Sequence, residues 1–168
     1  MVSETSFEDE LSAMLPRMRR FAHALSKSPS DADDLTQMAA ERALRSRSQY
    51  QAGSRLDHWL FRITRNLWID TVRARSRRSR FEAPEQEAER VGADPRAGMD
   101  AALELQRVMA AMQRIPEEQR EVVALILIEG FGYRETAEML DLPIGTVASR
   151  LARGRTALLE LWGNGNDR

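Results

Sequence analysis

The sequence predicts an all-α protein made of two small helical bundles, and three observations carry this prediction. Apolar residues recur at helical spacing through most of the chain. Residues 81–98 interrupt that spacing with two prolines, two glycines and many acidic residues, which predicts a flexible acidic linker. The second half ends in a helix-turn-helix pattern. We therefore expect one bundle over residues 1–80 and a second, containing the helix-turn-helix, over residues 99–168.

The composition is that of a soluble, folded protein, with 42% hydrophobic and 30% charged residues among 168. No apolar run is long enough to predict membrane insertion. The chain has no cysteine and its N-terminus lacks a signal-peptide pattern, which favours a cytoplasmic protein. The net charge of −1 is uninformative, but residues 62–80 hold seven arginines and one acid, whereas residues 82–104 hold seven acids and two arginines.

Three helices are predicted in the first half. Residues 7–26 place apolar side chains on one helical face, and the sequence SKSPSD ends that helix. Ser30 and Asp33 resemble a capping box for a second helix over residues 31–46. We expect this helix to bury Leu35, Met38, Ala39 and Leu44.

The third helix follows the loop-like sequence RSQYQAGS. Ser54 is placed to cap it, and the helical pattern continues to about residue 76. Its apolar side chains form one stripe, made of Leu56, Trp59, Leu60, Ile63 and Leu67.

The second half begins with a helical pattern over residues 100–114. Pro116 suits the first turn of the next helix, and the acids that follow favour its positive end. The run VVALILI is compatible with a buried strand or a buried helix, and the helix-start signal before it favours the helix. Gly130 and Gly132 are expected to end it.

The helix-turn-helix pattern consists of a short helix at residues 133–140, the turn DLP, and a helix from about residue 143 to 161. Ala137 faces inward where the two helices cross, and Leu140, Leu142 and Val147 pack around it. Thr136 and Asp141 are unusual, because such motifs prefer an aliphatic residue and a glycine there. The side chains expected to face outward toward phosphates or base edges are Ser149, Arg150, Arg153 and Arg155. A solvated helical hairpin is the alternative.

Four stretches, read together and in order, resemble the extracytoplasmic function (ECF) family of RNA polymerase sigma factors. They are DADDLTQMAAERAL, WLFRITRNLWIDTVRARSRR, IPEEQREVVALILIEGFGYRETAEML and LPIGTVASRLARGRTAL. The resemblance covers nearly the whole chain. It implies an alternative sigma factor that binds core RNA polymerase, reads the −10 promoter element as melted single strand through residues 1–80, and reads the −35 element as duplex through residues 99–168. It also implies an anti-sigma factor partner.

The resemblance places the −10 readers on the third helix and the loop before it. Asn66 and Asp70 match positions that read bases, although Asp70 can instead pair with Arg73 at helical spacing. Tyr50 is a candidate stacking platform for a base that leaves the stack. Trp59 and Trp68 are considered for the same role, Trp59 more as a core residue. The −10 set is Tyr50, Arg62, Arg65, Asn66, Asp70, Arg73 and Arg77, and the basic helix end, including Arg75, is expected to neutralise phosphates.

The resemblance also assigns the other two interfaces. Polymerase binding falls on Asp33, Asp34, Gln37 and Glu41 of the second helix, where Met38 replaces a commonly acidic residue. Reading of the −35 element falls on Arg134, Thr146, Ser149, Arg150, Arg153 and Arg155. Ala148 stands where the family usually has Lys or Arg, which should weaken or retune that contact.

Two other functions are compatible with parts of the sequence. A helix-turn-helix regulator acting without polymerase explains only the second half, and a sigma mimic that titrates an anti-sigma factor leaves the basic residues 62–80 unused. His23 and His58 lie in different helices without a nucleophile or metal-ligand pattern beside them. There is also no Gly-rich phosphate loop. We therefore expect no enzymatic activity, catalytic residue, metal, cofactor or small-molecule substrate.

Overall fold

A computed structural model of the chain describes residues 4–81 and 99–163. Over those two ranges the fold is all-α, as predicted, with seven α-helices and no strand. Backbone contacts divide the chain into two units, Met1–Glu89 and Arg90–Arg168. The segment expected to form the acidic linker, residues 81–98, lies outside the described residues apart from Phe81.

The first unit is a bundle of three helices, α1 (Glu4–Ser26), α2 (Pro29–Arg45) and α3 (Leu56–Ser79), each of which contacts the other two. Small side chains on the buried face of α2 let its neighbours approach closely, because an alanine keeps two helices nearer than a leucine does. A short 3₁₀ turn, Arg47–Gln49, starts the loop between α2 and α3. The core side chains include Met18, Phe21, Leu25, Ala32, Ala39, Ala43, Leu60 and Phe61.

The predicted caps of α2 and α3 are both wrong. Ser28, not Ser30, caps α2, and its hydroxyl accepts a hydrogen bond from the amide of Asp31 at 3.3 Å. Pro29 explains the shift, because its fixed φ and missing amide hydrogen suit the first helical position. Ser54 lies before the start of α3 and donates its hydroxyl hydrogen to the carbonyl of Gln51 instead.

Two apolar residues of α2 that we expected in the core are exposed, namely Met38 and Leu44. The buried face of α2 contains Ala32, Leu35 and Ala39, which recur at helical spacing on one side of the helix. Met38 and Leu44 lie outside that sector and remain open to solvent.

The second unit contains α4 (Met99–Arg114), α5 (Glu117–Val123), α6 (Tyr133–Leu140) and α7 (Ile144–Gly163). The ambiguous run VVALILI is helical, as favoured, and its last five residues, Ala124–Ile128, form a π turn that continues α5. Val122 and Leu125 are buried, whereas Leu127 and Ile128 at the end of the π turn are exposed. Gly130 follows with a φ of +78°, a conformation that glycine adopts at little cost.

Helices α6 and α7 form the predicted helix-turn-helix. Ala137, Leu140 and Val147 are buried between them, as expected. Asp141 has a φ of 54°, which lies in the left-handed region. Glycine adopts this conformation at little cost, which explains why such turns favour it, and aspartate is one of the few other residues that adopt it. Thr136 is fully buried, and its hydroxyl oxygen has no hydrogen-bond partner in the described part of the chain.

Gly154 allows α7 to pack directly on α5. A Cβ at this position would lie 2.7 Å from Cγ2 of Val123, closer than real Cβ atoms come to other atoms. Glycine normally weakens a helix interior relative to alanine. Its presence in the middle of α7 is therefore explained by the close helix contact.

We expect Gly154→Ala to destabilise the second unit by about 1–3 kcal/mol, because the added methyl group overpacks the α5–α7 contact. The measurement is urea unfolding combined with amide exchange of α5 and α7. Gly145→Ala is the matched control, since nothing lies within 4 Å of the Cβ that it adds. Adding Val123→Ala should recover part of the loss. Equal stability of Gly154→Ala and the wild type would contradict the packing explanation.

Candidate nucleic-acid interfaces

One exposed sector of α3 carries most of the side chains predicted to contact the −10 element. At 100° per residue these five positions fall within roughly 80° of the helix surface. All five are exposed. They are Arg62, Asn66, Asp70, Arg73 and Arg77. Arg65 lies outside this sector and is half-buried.

A pocket of about 170 Å³ opens on this sector and contains the two predicted base readers, Asn66 and Asp70. An amide that donates and accepts therefore lies beside a carboxylate that only accepts, a combination suited to the edge of a base. The remaining lining residues are Arg42, Ser46, Gln49, Trp59, Ile63 and Leu67. Sequence spacing within α3 could not reveal Arg42, Ser46 and Gln49, since they come from α2 and the following loop.

Asp70 does not form the ion pair with Arg73 that was the alternative to base reading. Over the described ranges, its carboxylate has neither a hydrogen bond nor an ion pair. The carboxylate therefore remains available as an acceptor at the pocket.

Tyr50 packs inward rather than lining the pocket. Its ring centroid lies 5.5 Å from that of Trp59 and 5.8 Å from that of Phe7. Its hydroxyl donates to the carbonyl of Ser54 at 2.7 Å. Trp59, which we expected mainly in the core, is partly buried against the core and also lines the pocket.

The opposite face of α3 has a structural role that the sequence analysis did not predict. Both terminal nitrogens of Arg75 donate to the carboxylate of Asp31 on α2, at 2.6 and 2.7 Å. These hydrogen bonds lower the pKa of Asp31. Arg75 also lies over the ring of Trp68, 5.9 Å from its centroid. Because Trp68 is buried, its suggested role in base stacking is wrong. Arg75 is exposed, and its guanidinium is paired with Asp31 within the unit.

The four residues predicted to bind polymerase are all exposed on α2. Asp33 accepts a hydrogen bond from Nε of Arg19 on α1 at 2.5 Å. The Gln37 amide donates to Glu41 at 3.1 Å. Asp34 has no hydrogen bond or ion pair in the described part of the chain. Exposed Met38 adjoins them, so this face combines acids with an apolar side chain.

The residues predicted to read duplex DNA are spread over two sides of α7 and over α6. Thr146, Ser149 and Arg153 recur at helical spacing and share one side, with Arg153 exposed. The Ser149 hydroxyl donates to the carbonyl of Thr146 at 3.0 Å. Arg155 is exposed but lies roughly 160° around α7 from Arg153. Arg134 is exposed near the start of α6.

Arg150 does not face outward as predicted. Its side chain is only 21% exposed and lies 3.3 Å from Glu118 and 3.7 Å from Glu121, both on α5. Glu121 is itself buried, so the guanidinium supplies the charge that this carboxylate needs. The sequence analysis missed these partners because they lie about thirty residues earlier, on another helix.

His23, one of the chain's two histidines, is half-buried near the end of α1. Burial lowers the pKa of His23 below its ordinary value. Among residues 4–81 and 99–163, no cluster of acidic or histidine side chains is suited to a metal ion. None of the described helices has the length and apolar character needed to cross a membrane.

Comparison with known proteins places family matches on both units. The Sigma-70 region 2 family matches residues 11–78, which include α2, the pocket and all of α3 except its last residue. The Sigma-70 region 4 family matches residues 105–158, which include α6 and most of α7.

Individual proteins show the same likeness over most of the chain. The ECF RNA polymerase sigma factor EcfG of Rhodopseudomonas palustris is 37% identical, covering 93% of this chain and 84% of that protein. The ECF RNA polymerase sigma factor SigE of Mycolicibacterium smegmatis is 40% identical over 84% of this chain and 56% of its own length. The sigma factor RpoE of Bartonella quintana, solved in complex with the anti-sigma factor NepR, superposes with a TM-score of 0.83 at 32% identity, covering 96% of this chain and 98% of that one.

We expect Arg150→Ala and Arg153→Ala to separate structural from DNA-contacting arginines on α7. Arg150→Ala should destabilise the second unit by about 1–3 kcal/mol, because it removes the ion pairs of Arg150 with Glu118 and with the buried carboxylate of Glu121. Arg153→Ala should change stability by less than about 0.5 kcal/mol. It should nevertheless lower affinity for −35 duplex about tenfold. The measurements are urea unfolding of the full chain and duplex binding by its complex with core polymerase. Unchanged stability of Arg150→Ala would refute its structural role.

Proposed function

Because the chain belongs to the extracytoplasmic function family of RNA polymerase sigma factors, we propose that its two units divide promoter recognition between them. The chain is an alternative sigma factor that directs promoter-specific transcription initiation, and it is not an enzyme. In this proposal residues 1–80 bind core polymerase and the melted −10 strand. Residues 99–168 bind the −35 duplex, and residues 81–98 connect the two as a linker.

The pocket on α3 is the observation that carries the proposal. A base of the melted strand enters it, and Asn66 and Asp70 contact the base edge by hydrogen bonds. Trp59 supplies an aromatic wall on which the base can stack. The exposed arginines on the same sector, Arg62, Arg73 and Arg77, neutralise the phosphates on either side. Tyr50 and Arg65 support this surface from positions that are half-buried.

The proposed polymerase-binding and −35-binding surfaces rest on which side chains are exposed and on what those side chains can bind. The face of α2 with Asp33, Asp34, Gln37 and Glu41 binds core polymerase, with Met38 as an apolar contact in place of an acid. On α7, Ser149 and Arg153 read the −35 element, Thr146 lies beside them, and Arg134 and Arg155 contact phosphates. Arg150 contributes to this interface by its ion pair with α5 rather than by touching DNA.

The partners of the protein are core RNA polymerase, promoter DNA and an anti-sigma factor. The anti-sigma partner is supported by the likeness to RpoE of Bartonella quintana, which was solved bound to one. Since polymerase and promoter lie in the bacterial cytoplasm, we place the protein there.

We expect run-off transcription from a cognate promoter only when the chain is combined with core polymerase, because the −10 target has to be melted before it is read. The promoter is chosen by mapping transcript starts after overexpression. Core polymerase alone and the chain alone are the controls. Intact core binding without any transcript would refute the sigma-factor role. Duplex binding without core binding would instead favour a helix-turn-helix regulator.

We expect Asn66→Ala to impair initiation about tenfold while leaving −35 duplex binding unchanged, because the lost amide contacts only the melted strand. Run-off yield and duplex affinity of the holoenzyme measure the two effects. Gln37→Ala is a useful comparison, since it alters another exposed amide of the same unit and should reduce core affinity instead. Equal losses in both DNA assays for Asn66→Ala would count against its assigned contact.

A further inference from the structure

The loop between α2 and α3 is held in place by the first turns of α1. Phe7 packs its ring 5.8 Å from the ring of Tyr50 and 6.3 Å from the ring of Trp59. The rings of Tyr50 and Trp59 are 5.5 Å apart. The three rings therefore form one aromatic cluster that joins α1, the loop and α3. Arg47 at the start of the loop also lies 3.8 Å from Glu8 on α1.

The hydrogen bonds within the loop join residues close in sequence. The amides of Gln49 and Tyr50 donate to the carbonyls of Ser46 and Arg47, and the amide of Ser54 donates to the carbonyl of Gln51. The Tyr50 hydroxyl donates to the Ser54 carbonyl, and the Ser54 hydroxyl donates to the Gln51 carbonyl. Since these bonds are local, they do not by themselves fix the loop relative to α3, whereas the aromatic cluster does.

The cluster and the pocket share a wall. Trp59 lines the pocket beside Asn66 and Asp70 and contacts Phe7 and Tyr50 with its ring. Gln49, the residue before Tyr50, lines the same pocket. Phe7 itself is buried and is not among the residues that line the pocket. The ring contacts of Phe7 with Tyr50 and Trp59 therefore connect it to the wall of the pocket.

We propose that Phe7 is a positioning residue for −10 recognition, which fixes Trp59 and the Tyr50 loop in the base-binding arrangement before DNA arrives. This inference rests on the proposed function of the pocket. A loop that is ordered before DNA binds costs no further free energy of ordering on binding. This favours both the affinity for the −10 strand and the discrimination between sequences. The first helix thus acts on promoter reading without touching DNA.

The variant Phe7→Leu tests the first step, because it keeps an apolar side chain and removes the ring. In the free full-length protein, the amides of Gln49, Tyr50 and Ser54 should exchange about tenfold faster than in the wild type. Phe7→Tyr retains the ring and should restore wild-type exchange. Leu11→Ala is the matched control, since Leu11 lies in the same core cluster one turn further along α1. It should lower global stability without preferential exchange in the loop.

The second step is tested with the complex of each variant and core polymerase. The probes are a single-stranded oligonucleotide carrying the −10 sequence of a promoter mapped by transcript starts, and the same oligonucleotide with that sequence permuted. Phe7→Leu should lower the ratio of the two affinities about tenfold, whereas Phe7→Tyr and Leu11→Ala should keep it.

The two measurements distinguish the possible failures. Unchanged loop exchange in Phe7→Leu would show that the ring does not order the loop, and would overturn the proposal. Faster exchange with an unchanged affinity ratio would show that loop order does not serve −10 reading, and would also overturn it. A wild-type protein that does not discriminate between the probes would contradict the proposed −10 role itself, a failure visible without any variant.

Discussion

One helix in each unit packs into the core on one side and exposes polar side chains on another. The other contacts of the unit hold that helix in place. Helix α3 buries Leu60 and Phe61 in the first bundle while another sector of its surface carries Asn66. Helix α7 buries Val147 and Leu151 and exposes Arg153. Bundles this small have no further layer of helices to correct an error in packing. A rotation of α3 would therefore cost core contacts and also displace Asn66. A rotation of α7 would do the same to Arg153.

Polar contacts hold both helices in their rotational positions, and a close steric contact also holds α7. Arg75 joins α3 to α2 through Asp31, and Arg150 joins α7 to the buried carboxylate of Glu121 on α5. Gly154 sets the distance between α7 and α5 by leaving no room for a methyl group. Arg75 and Arg150 thus join helices within their units, whereas Arg73 and Arg153 on the same two helices are exposed.

Helical periodicity predicted the all-α fold, the bounds of α6 and the inward position of Ala137, because these depend on neighbours within one helix. It could not predict the partner of Arg150, since a pattern gives the direction of a side chain about its own helix and not what the next helix presents. The wrong cap of α2 has a local cause: Pro29 favours a helix start one residue after Ser28, although Ser30 has the better motif. The pocket combines residues from α2, the loop and α3. The resemblance indicated Asn66, Asp70, Trp59 and the loop, whereas Arg42 of α2 could not be found from the spacing within α3.

In the proposed function, the absence of a basic side chain at Ala148 bears on how the two units share promoter recognition. The 17 residues proposed as the tether, 82–98, would span at most roughly 60 Å when extended. Once one unit is bound, such a tether keeps the other at a high effective concentration, so each unit alone can bind weakly. Total affinity then tolerates the loss of one phosphate or base contact on α7. Sequence preference does not pass through the tether, because each element is read only by its own unit. In the proposed function, a −35 surface without a basic side chain at Ala148 shifts discrimination between promoters toward the −10 pocket, where Trp59 would hold the base.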